Sequence, residues 1–488
     1  MQRLHEQYGD AVRIGPSEVS FNSLSALRSI YGAGTVFQRD TGFYRMFDVY
    51  GRRVMFSFGG GREHRDRKKL LNHAYSKTSI LSPRNATMIE EKARKFLTLV
   101  ESEALDGNLE IFAALHYFSL DTITAFLYGK SKSKSSSSGA TSALDSPSSS
   151  QHRHLLDDIL HPARRTLSWF TIHLPSLTSW LYAQSGLIES LLSSLHLLPM
   201  NKPSTYSSIR AHALLAVEHL LHINNKSESE PLDPSASIAA RLFSKLEAAQ
   251  MDHLDVAGEC ADHLLAGIDT TSDTLMWAIF ALSQPENRIF QEKLRAEILA
   301  LELDNSSDHT ITNQGIIRAA AAEKLPYLDA VIKETLRLFA PLPGTEPRVA
   351  ENDEVVDGFR IPGGTVVTMS PYTLHRNGRV FRDVGRFNPD RWLAEEEEEK
   401  EQVAEMKRWF WAFSSGGRMC IGMHLAMAEM TTLLASVYRT YKTEIRPGFE
   451  GVSPGVTARY EVFYDDRFSR VKEHVCWVKF VNALPVSS

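Results

Sequence analysis

The chain has 488 residues, of which 43% are hydrophobic and 23% are charged, and its formal net charge is −5. Length alone allows roughly three average domains, and the mild acidity gives no reason to expect nucleic-acid binding. The three cysteines, Cys260, Cys420 and Cys476, are too few for a disulfide framework and indicate a reducing compartment. Cys260 and Cys476 lie in apolar patterns and are interpreted as small core residues.

Strand signals lie near the two ends of the chain, where apolar and polar residues alternate between Gly- and Pro-rich turns. Residues 83–340 instead show helical periodicity. Because strands from both ends surround a helical middle, we predict one interlocked domain over residues 1–488, mainly α with small β-sheets. The strands are predicted at residues 11–15, 18–22, 355–361, 365–369, 456–463 and 475–481.

Two segments raise questions about order and membranes. The Ser-rich residues 131–150 cannot bury a core and are predicted to be a mobile or disordered insert. The apolar stretches 167–182 and 191–198 are interpreted first as the lining of a substrate channel packed on the core, and alternatively as segments that enter a bilayer surface. No run approaches the roughly 20 apolar residues of a transmembrane helix, and no signal peptide is present.

Residues 252–284 are predicted to form one long helix, because apolar residues recur at helical spacing and a proline follows. The centre of this helix reads A-G-I-D-T-T at residues 266–271. Gly267 weakens the helix there, and a threonine hydroxyl competes for the carbonyl four residues back. We therefore expect a polar notch in which an acid, Asp269, lies beside an alcohol, Thr270. That pair suits proton delivery, although such a pattern alone is more often a helix defect.

The most informative segment reads F-S-S-G-G-R-M-C-I-G and begins at Phe413, which could shield a nearby sulfur from water. Cys420 precedes an apolar helix, whose dipole and free N–H groups should lower the pKa of the thiol. Gly416 and Gly422 remove bulk where the backbone passes a flat ligand, and Arg418 offers paired donors to a carboxylate. These are the requirements of a thiolate-ligated haem iron.

The match F-x-x-G-x-R-x-C-x-G resembles the haem-binding loop of the cytochrome P450 family. Further motifs follow in the family's order: A-G-x-D-T-T resembles its oxygen-activation motif, and Glu334 with Arg337 resembles its E-x-x-R helix. The resemblance implies that Ala266 contacts the haem. It also implies that Arg391, in F-N-P-D-R-W, joins Glu334 and Arg337 in a structural network, where a buried carboxylate between two guanidinium groups can be fully hydrogen-bonded.

The sequence departs from the family pattern at the W-x-x-x-R helix, where His64 replaces the tryptophan and Lys68 replaces the arginine. Both can still donate to a haem propionate, lysine as a point charge, and Arg348 resembles another propionate-binding arginine. The alternative interpretation of residues 62–69 is a solvated helix face. With Arg418, the same cluster could also make the surface basic and attract an acidic electron-donating partner.

The resemblance extends over nearly the whole chain and is most similar to fungal natural-product members. It implies a cytochrome P450 fold with a long central helix, and a monooxygenase that uses haem b ligated by Cys420. The reaction would insert one oxygen atom from O2 into a small lipophilic, secondary-metabolite-like substrate, with electrons from an NADPH–cytochrome P450 reductase. The alternative is a haem-thiolate isomerase, dehydratase or peroxygenase without a reductase, which the intact Asp269–Thr270 pair disfavours.

The resemblance also bears on location, since the family's eukaryotic members usually begin with a membrane anchor. Residues 1–9 resemble the first helix of the catalytic body, so an anchor is either truncated here or truly absent. We expect the cytoplasmic face of the endoplasmic reticulum in the first case and the cytoplasm in the second, with peripheral membrane contact as a further possibility. The substrate pocket is expected from residues 34–58, 167–200, 264–271, 341–346 and 455–457.

Overall fold

The computed structural model describes most of the chain in ten stretches, together with a few single positions between 166 and 181. The predicted strand at 456–463, most of the Ser-rich segment and most of the apolar residues 167–182 lie outside the described residues. The ten stretches are residues 1–129, 139–145, 152–160, 184–197, 204–226, 233–303, 310–394, 396–455, 470–472 and 474–483.

Helices dominate the described chain, as the periodicity predicted. In chain order they are α1 Gln2–Tyr8, α2 Leu24–Tyr31, α3 Thr41–Tyr44, α4 Gly61–Leu71, α5 Lys77–Ile80, α6 Pro83–Glu103, α7 Ile111–Tyr128, α8 Asp157–Leu160, α9 Leu187–Ser194, α10 Ser204–Lys226, α11 Ile238–Phe243, α12 Leu246–Ala249, α13 His253–Ser283, α14 Arg288–Leu303, α15 Ala319–Ala322, α16 Pro326–Leu338, α17 Pro371–Leu374, α18 Glu397–Trp409 and α19 Met423–Thr440. Short 3-10 turns lie at Arg45–Phe47, Arg153–Leu156, Pro285–Asn287, Pro389–Trp392 and Gly416–Arg418.

The strands form small sheets that join distant parts of the chain. The predicted hairpin is confirmed, since β1 and β2 pair antiparallel, and β2 also pairs parallel with β8 so that Glu18 lies opposite Val366. Near the end of the chain, β12 pairs with both β4 and β9. The strands are β1 Ala11–Gly15, β2 Glu18–Phe21, β3 Gln38–Arg39, β4 Asn108–Glu110, β5 Arg348–Val349, β6 Glu354–Val356, β7 Phe359–Ile361, β8 Val366–Thr368, β9 Tyr441–Ile445, β10 Val452–Ser453, β11 Arg470–Val471 and β12 Trp477–Asn482.

The long helix α13 is confirmed with the predicted ends. Asp252 caps its N-terminus through a capping box with Asp255, and the helix stops before Pro285. Its 31 residues extend about 46 Å at 1.5 Å per residue. It packs closely on α7 at Gly267, where an added Cβ would lie 2.8 Å from a side-chain carbon of Ile123. The glycine therefore permits close helix packing in the middle of the core.

Two apolar helices bear on the membrane expectations. In the described part of the chain, α7 alone is long and apolar enough to cross a bilayer, but 89% of that window is buried within the protein, as in a core helix. Helix α9 and the residue that follows it differ, because Leu187, Leu191 and Leu195 are 91%, 56% and 57% exposed. For Leu191 and Leu195, the interpretation that they pack on the core is wrong.

Candidate active site

A large cavity lies beside the middle of α13 and is closed by the loop that precedes α19. It contains about 1820 Å³ of empty space, counting its open mouth. By the measure that applies to ligand pockets its volume is about 300 Å³, at the lower end of the roughly 300–1,000 Å³ of a pocket for one drug-sized ligand. The predicted site residues that line it are Phe413, Arg418, Cys420, Gly422, Ala266, Thr270, His64 and Lys68, whereas Asp269, Arg348 and Gly416 do not.

The Cys420 loop is closed by its own backbone. The Cys420 N–H donates to the Phe413 carbonyl at 2.9 Å, and the N–H groups of Gly422 and Met423, at the start of α19, donate to the sulfur. The sulfur faces the cavity but lies deep among protein atoms, and this burial raises the pKa of the thiol. The expectation of a lowered pKa is wrong, because burial outweighs the two N–H groups and Lys68.

The two glycines of the loop serve different purposes. Gly416 has a φ of 61°, and an added Cβ would lie 2.3 Å from the Tyr31 carbonyl oxygen, so its small size is required by a backbone contact and not by a ligand. Gly422 lines the cavity, and its added Cβ would meet nothing closer than the Cys420 sulfur at 3.9 Å. Gly422 thus leaves space for a flat ligand, as expected, whereas the expectation for Gly416 is corrected.

Helix α13 presents Ala266, Thr270 and Thr274 to the cavity at intervals of four residues. The Thr270 hydroxyl donates to the Ala266 carbonyl at 2.8 Å, so its lone pairs are available to accept a hydrogen bond from the cavity. Asp269 is only 9% exposed and does not line the cavity. Successive helix positions differ by about 100°, so the acid lies next to the alcohol in the chain without lining the cavity.

The sequence reasoning missed Glu429, which also lines the cavity. Glu429 is 2% exposed and shares a hydrogen bond with Thr271 of α13. Burial raises the pKa of this carboxyl well above its usual range, so the group can act as a neutral donor. The available signal was a single acid within the apolar helix that follows the cysteine loop.

The structure brings Glu334, Arg337 and Arg391 together. Glu334 and Arg337 are fully buried, and the carboxylate accepts from Arg337 Nε and Nη2 at 2.9 and 2.8 Å and from Arg391 Nε at 3.0 Å. The Trp392 indole and the Asn388 N–H complete the set at 3.0 and 2.9 Å. Five donors thus satisfy one carboxylate, which ties α16 to the turn Pro389–Trp392.

Cationic side chains converge at the cavity. Arg418 Nη2 donates to the carbonyls of Gly59 and Gly60 at 2.9 and 3.1 Å, and its buried Nη1 has no hydrogen-bond partner among the described residues. Lys68 Nζ is held by the carbonyls of Gly417 and Met419 at 3.1 and 2.8 Å. These backbone contacts orient two positive charges without neutralising them.

Burial and mutual repulsion dominate the electrostatics of this cationic cluster. Burial, followed by repulsion from Arg39 and Arg348, lowers the pKa of Arg418 to about 9. Burial and the same cations lower the pKa of His64 to about 3, so its imidazole is neutral at physiological pH. A ligand with negatively charged carboxylates would relieve the repulsion and satisfy the buried Arg418 Nη1.

Comparison with known proteins identifies the protein family. Residues 189–453 match the family model described as Cytochrome P450. The chain belongs to the cytochrome P450 family. The observed architecture is the mixed α+β fold of that family, as the sequence predicted, and the chain is a monooxygenase of the type that acts on secondary metabolites.

Curated relatives span most of the chain at modest identity. They include cytochrome P450 monooxygenase hkm5 of Aspergillus hancockii, 27% identical over 455 residues that cover 91% of this chain and 79% of that protein. Tryptophan 6-hydroxylase fscE of Fusarium equiseti is 27% identical, covering 91% and 80%. N-acetyltryptophan 6-hydroxylase ivoC of Emericella nidulans is 28% identical, with the same coverage.

The family implies a haem-thiolate cofactor, and the cavity residues fit one. Cys420 supplies a sulfur that faces open space, and Arg418 and Lys68 supply positive charge for the two carboxylates of a haem. Gly422 and Ala266 supply surfaces without bulky side chains. The thiolate, the cations and the flat surfaces are the three features that such a ligand requires.

Proposed function

We propose that the protein inserts one oxygen atom of O2 into a small lipophilic substrate, with haem b held by Cys420 and electrons from an NADPH–cytochrome P450 reductase. The observation that carries the proposal is the position of Cys420, which lines the same cavity as Thr270 of α13. A bound haem would supply the activation of dioxygen, and the protein would supply ligation, orientation and protons.

Two groups on or beside α13 are suited to handle protons. Because the Thr270 hydroxyl donates to the Ala266 carbonyl, Thr270 Oγ1 can accept a hydrogen bond from a group in the cavity and hold that group in place. Glu429 keeps a proton at its buried carboxyl group, which accepts a hydrogen bond from the Thr271 hydroxyl. Asp269 lies behind this face, so its proposed role is to feed protons to Thr270 through water.

The aromatic part of the cavity lining favours an aromatic molecule. Phe43, Phe47 and Phe56 line it with Tyr44, and the ring centroids of Phe47 and Phe56 lie 4.8 Å apart at an interplanar angle of 86°. Such a wall binds flat apolar groups by area burial and by edge-to-face contact. Two relatives are named as hydroxylases of tryptophan and N-acetyltryptophan, which supports an aromatic member of the lipophilic class for this chain.

The first test is the absorption spectrum of the dithionite-reduced protein under carbon monoxide. We expect the strongly red-shifted Soret band of thiolate-ligated haem in the wild type and in Cys476→Ala, whose cysteine is buried away from the cavity. Cys420→Ala should lose that band. Retention of a normal thiolate band in Cys420→Ala would overturn the assignment of Cys420.

A second assay separates the proposed reaction from the alternative. With a fungal cytochrome P450 reductase, we expect aromatic substrates to stimulate NADPH consumption and to yield a product that is 16 mass units heavier. Incubation under 18O2 should place the heavy isotope in that product. Turnover without reductase, with no dependence on O2, would instead support an isomerase or dehydratase. Turnover that requires only hydrogen peroxide would indicate a peroxygenase.

The proposed reductase contact is the exposed part of α4. The side chains of Arg62 and Lys69 are 89% and 67% exposed, whereas Lys68 points inward to the cysteine loop. We expect Arg62→Glu with Lys69→Glu to slow reduction by the reductase, more strongly at low salt. Arg360→Glu, on the exposed strand β7, is the matched control. Equal rates in the two variants would refute the contact.

The proposed membrane contact is the apolar face of α9, and the proposed location is the cytoplasmic face of the endoplasmic reticulum if an anchor precedes this sequence, or the cytoplasm otherwise. Leu187 and Leu191 are exposed there. We expect Leu187→Asp with Leu191→Asp to reduce co-sedimentation with phosphatidylcholine–phosphatidylserine vesicles. Leu105→Asp, which replaces an exposed leucine elsewhere, should not do so. Unchanged co-sedimentation of the double variant would exclude this face.

A further inference from the structure

Arg348 already has hydrogen-bond partners within the protein, although the family resemblance assigned it to a haem propionate. It is 2% exposed, and its Nη2 donates to Glu346 Oε2 at 2.9 Å. Its Nη1 donates to the Tyr44 hydroxyl at 3.0 Å and to the Pro347 carbonyl at 3.1 Å. The guanidinium also lies 4.8 Å from the centroid of the Tyr31 ring. Both terminal nitrogens of Arg348 therefore have partners, and one partner is a carboxylate.

Glu346 is the carboxylate that forms an ion pair with Arg348. The same oxygen that accepts from Arg348 also accepts from the Ser414 hydroxyl at 3.1 Å, which fixes the carboxylate between β5 and the cysteine loop. Glu346 itself lines the cavity, whereas Arg348 does not. Glu346 thus neutralises Arg348 and, as a carboxylate at the cavity, repels an incoming carboxylate.

Arg39 has the opposite arrangement. It lies in β3, is 6% exposed and lines the cavity. Its guanidinium is held between two rings, with Cζ 4.5 Å from the Tyr44 centroid and 4.4 Å from the Phe56 centroid, and Nη1 donates to the Phe56 carbonyl. Its buried Nε has no hydrogen-bond partner within the described chain. The aromatic rings and one carbonyl orient this cation, and the carboxylates of Glu346 and Asp262 attract it without forming one of the described ion pairs with it.

We propose that Arg39, together with Arg418, holds the carboxylates of the bound haem in this protein, and that Glu346 excludes Arg348 from that task. The inference rests on the proposed haem cofactor. Arg39 and Arg418 line the same cavity, and each has a buried N–H without a partner in the described chain. A carboxylate between them would satisfy both demands with charge-assisted hydrogen bonds.

The test measures haem retention, which does not depend on turnover. Wild type and variants, purified with haem, are mixed with excess apomyoglobin, and the rate of haem transfer is followed by absorbance. We expect Arg39→Gln to lose haem at least about tenfold faster, since the loss of a charge-assisted hydrogen bond has an effect of that size. Arg39→Lys should fall between the two, because lysine keeps the charge without the fork. Arg360→Gln, an exposed arginine in β7, should match the wild type.

A rescue experiment separates carboxylate binding from a merely structural role. In the Arg39→Gln background, Glu346→Leu removes the acceptor that holds Arg348 and should slow haem loss again, since Arg348 is then free to reach the cavity. A structural defect at Arg39 would not be repaired by a second substitution at Glu346. If Arg39→Gln does not fold, Arg39→Lys and the single variant Glu346→Leu carry the test, and Glu346→Leu should lose haem more slowly than wild type.

The outcomes are distinct from those of the proposed function. Haem loss from Arg39→Gln and Arg39→Lys at the rate of Arg360→Gln would overturn the role of Arg39 while leaving the haem-thiolate assignment intact. Haem loss from Glu346→Leu that is no slower than wild type would overturn the exclusion of Arg348. Absence of the thiolate–carbon monoxide band in the wild type would instead remove the proposed function, and the inference with it.

Discussion

The substitution Glu334→Gln removes one negative charge from a site that contains two guanidinium groups. Glu334 and Arg337 are fully buried, and the Arg391 side chain is 8% exposed. The amide of glutamine keeps the size of the carboxylate, but an NH2 group replaces one of the two acceptor oxygens. The N–H groups that donated to that oxygen then face another donor. Removing one partner of a buried ion pair typically costs ~3–5 kcal/mol, because the other charge remains buried and uncompensated.

This cost converts into a modest but measurable change in melting temperature. The entropy of unfolding scales with chain length and reaches about 1 kcal/mol per kelvin for a chain of this size. We therefore expect Glu334→Gln to lower Tm by about 3–5 °C in circular dichroism at 222 nm. Since the network ties α16 to the turn that contains Arg391, haem content after purification should fall as well.

The matched control lies on the same helix. Asp329 pairs with Lys333 four residues later, and their side chains are 37% and 28% exposed. Because exposed pairs contribute about 0–1 kcal/mol, Asp329→Asn should shift Tm by no more than about 1 °C. If Glu334→Gln also melts within 1 °C of the wild type, the buried network does not stabilise the protein in the way that its geometry indicates.

Three further predictions test the proton route, the buried histidine and the cysteine loop. Thr270→Ala should keep haem but divert NADPH to hydrogen peroxide, whereas Thr270→Ser should stay coupled; unchanged product per NADPH in Thr270→Ala would exclude the role of the hydroxyl. Burial lowers the pKa of His263 to about 4. Between about pH 6.5 and 4 the unfolded chain therefore binds a proton at His263 that the folded protein does not bind. This difference lowers the free energy of unfolding by up to about 3 kcal/mol as the pH falls to 4. Tm measured against pH should slope less in this window for His263→Gln but not for His73→Gln, and equal slopes would contradict the assignment. Gly416→Ala should destabilise by at least about 1–3 kcal/mol, because φ is 61° and the Tyr31 carbonyl leaves no space, whereas Gly417→Ala, with nothing within 4 Å, should melt like the wild type.

Sequence reasoning succeeded where spacing along the chain decides contact. Residues three apart on a helix share a face, so Glu334 and Arg337 could be paired from their positions alone. The long helix α13 was predictable because its apolar period, its acidic cap and the following proline agree. The cysteine loop was equally clear, since glycines, an arginine and a cysteine at fixed spacing leave few other interpretations.

Sequence reasoning failed where contact depends on distant segments. Arg39 lies in a two-residue strand, and nothing in its neighbourhood predicts that it reaches the same cavity as Arg418. The thiol pKa of Cys420 depended on burial, which the helix-dipole argument did not include. Gly416 was assigned to the ligand because the backbone of Tyr31, far away in the chain, could not be foreseen beside it.

The cations of the cavity connect cofactor binding with folding. Arg418 and Lys68 are fixed by backbone carbonyls, which orient the charges but do not cancel them. Burial, together with repulsion from Arg39 and Arg348, lowers the pKa of Arg418 to about 9. The folded state therefore keeps like charges close together, which raises its free energy, and an anionic ligand offsets this repulsion when it binds. A ligand that binds only the folded state adds its binding free energy to stability. Glu346 limits this effect, since it satisfies Arg348 from within the protein and leaves Arg39 and Arg418 for the ligand.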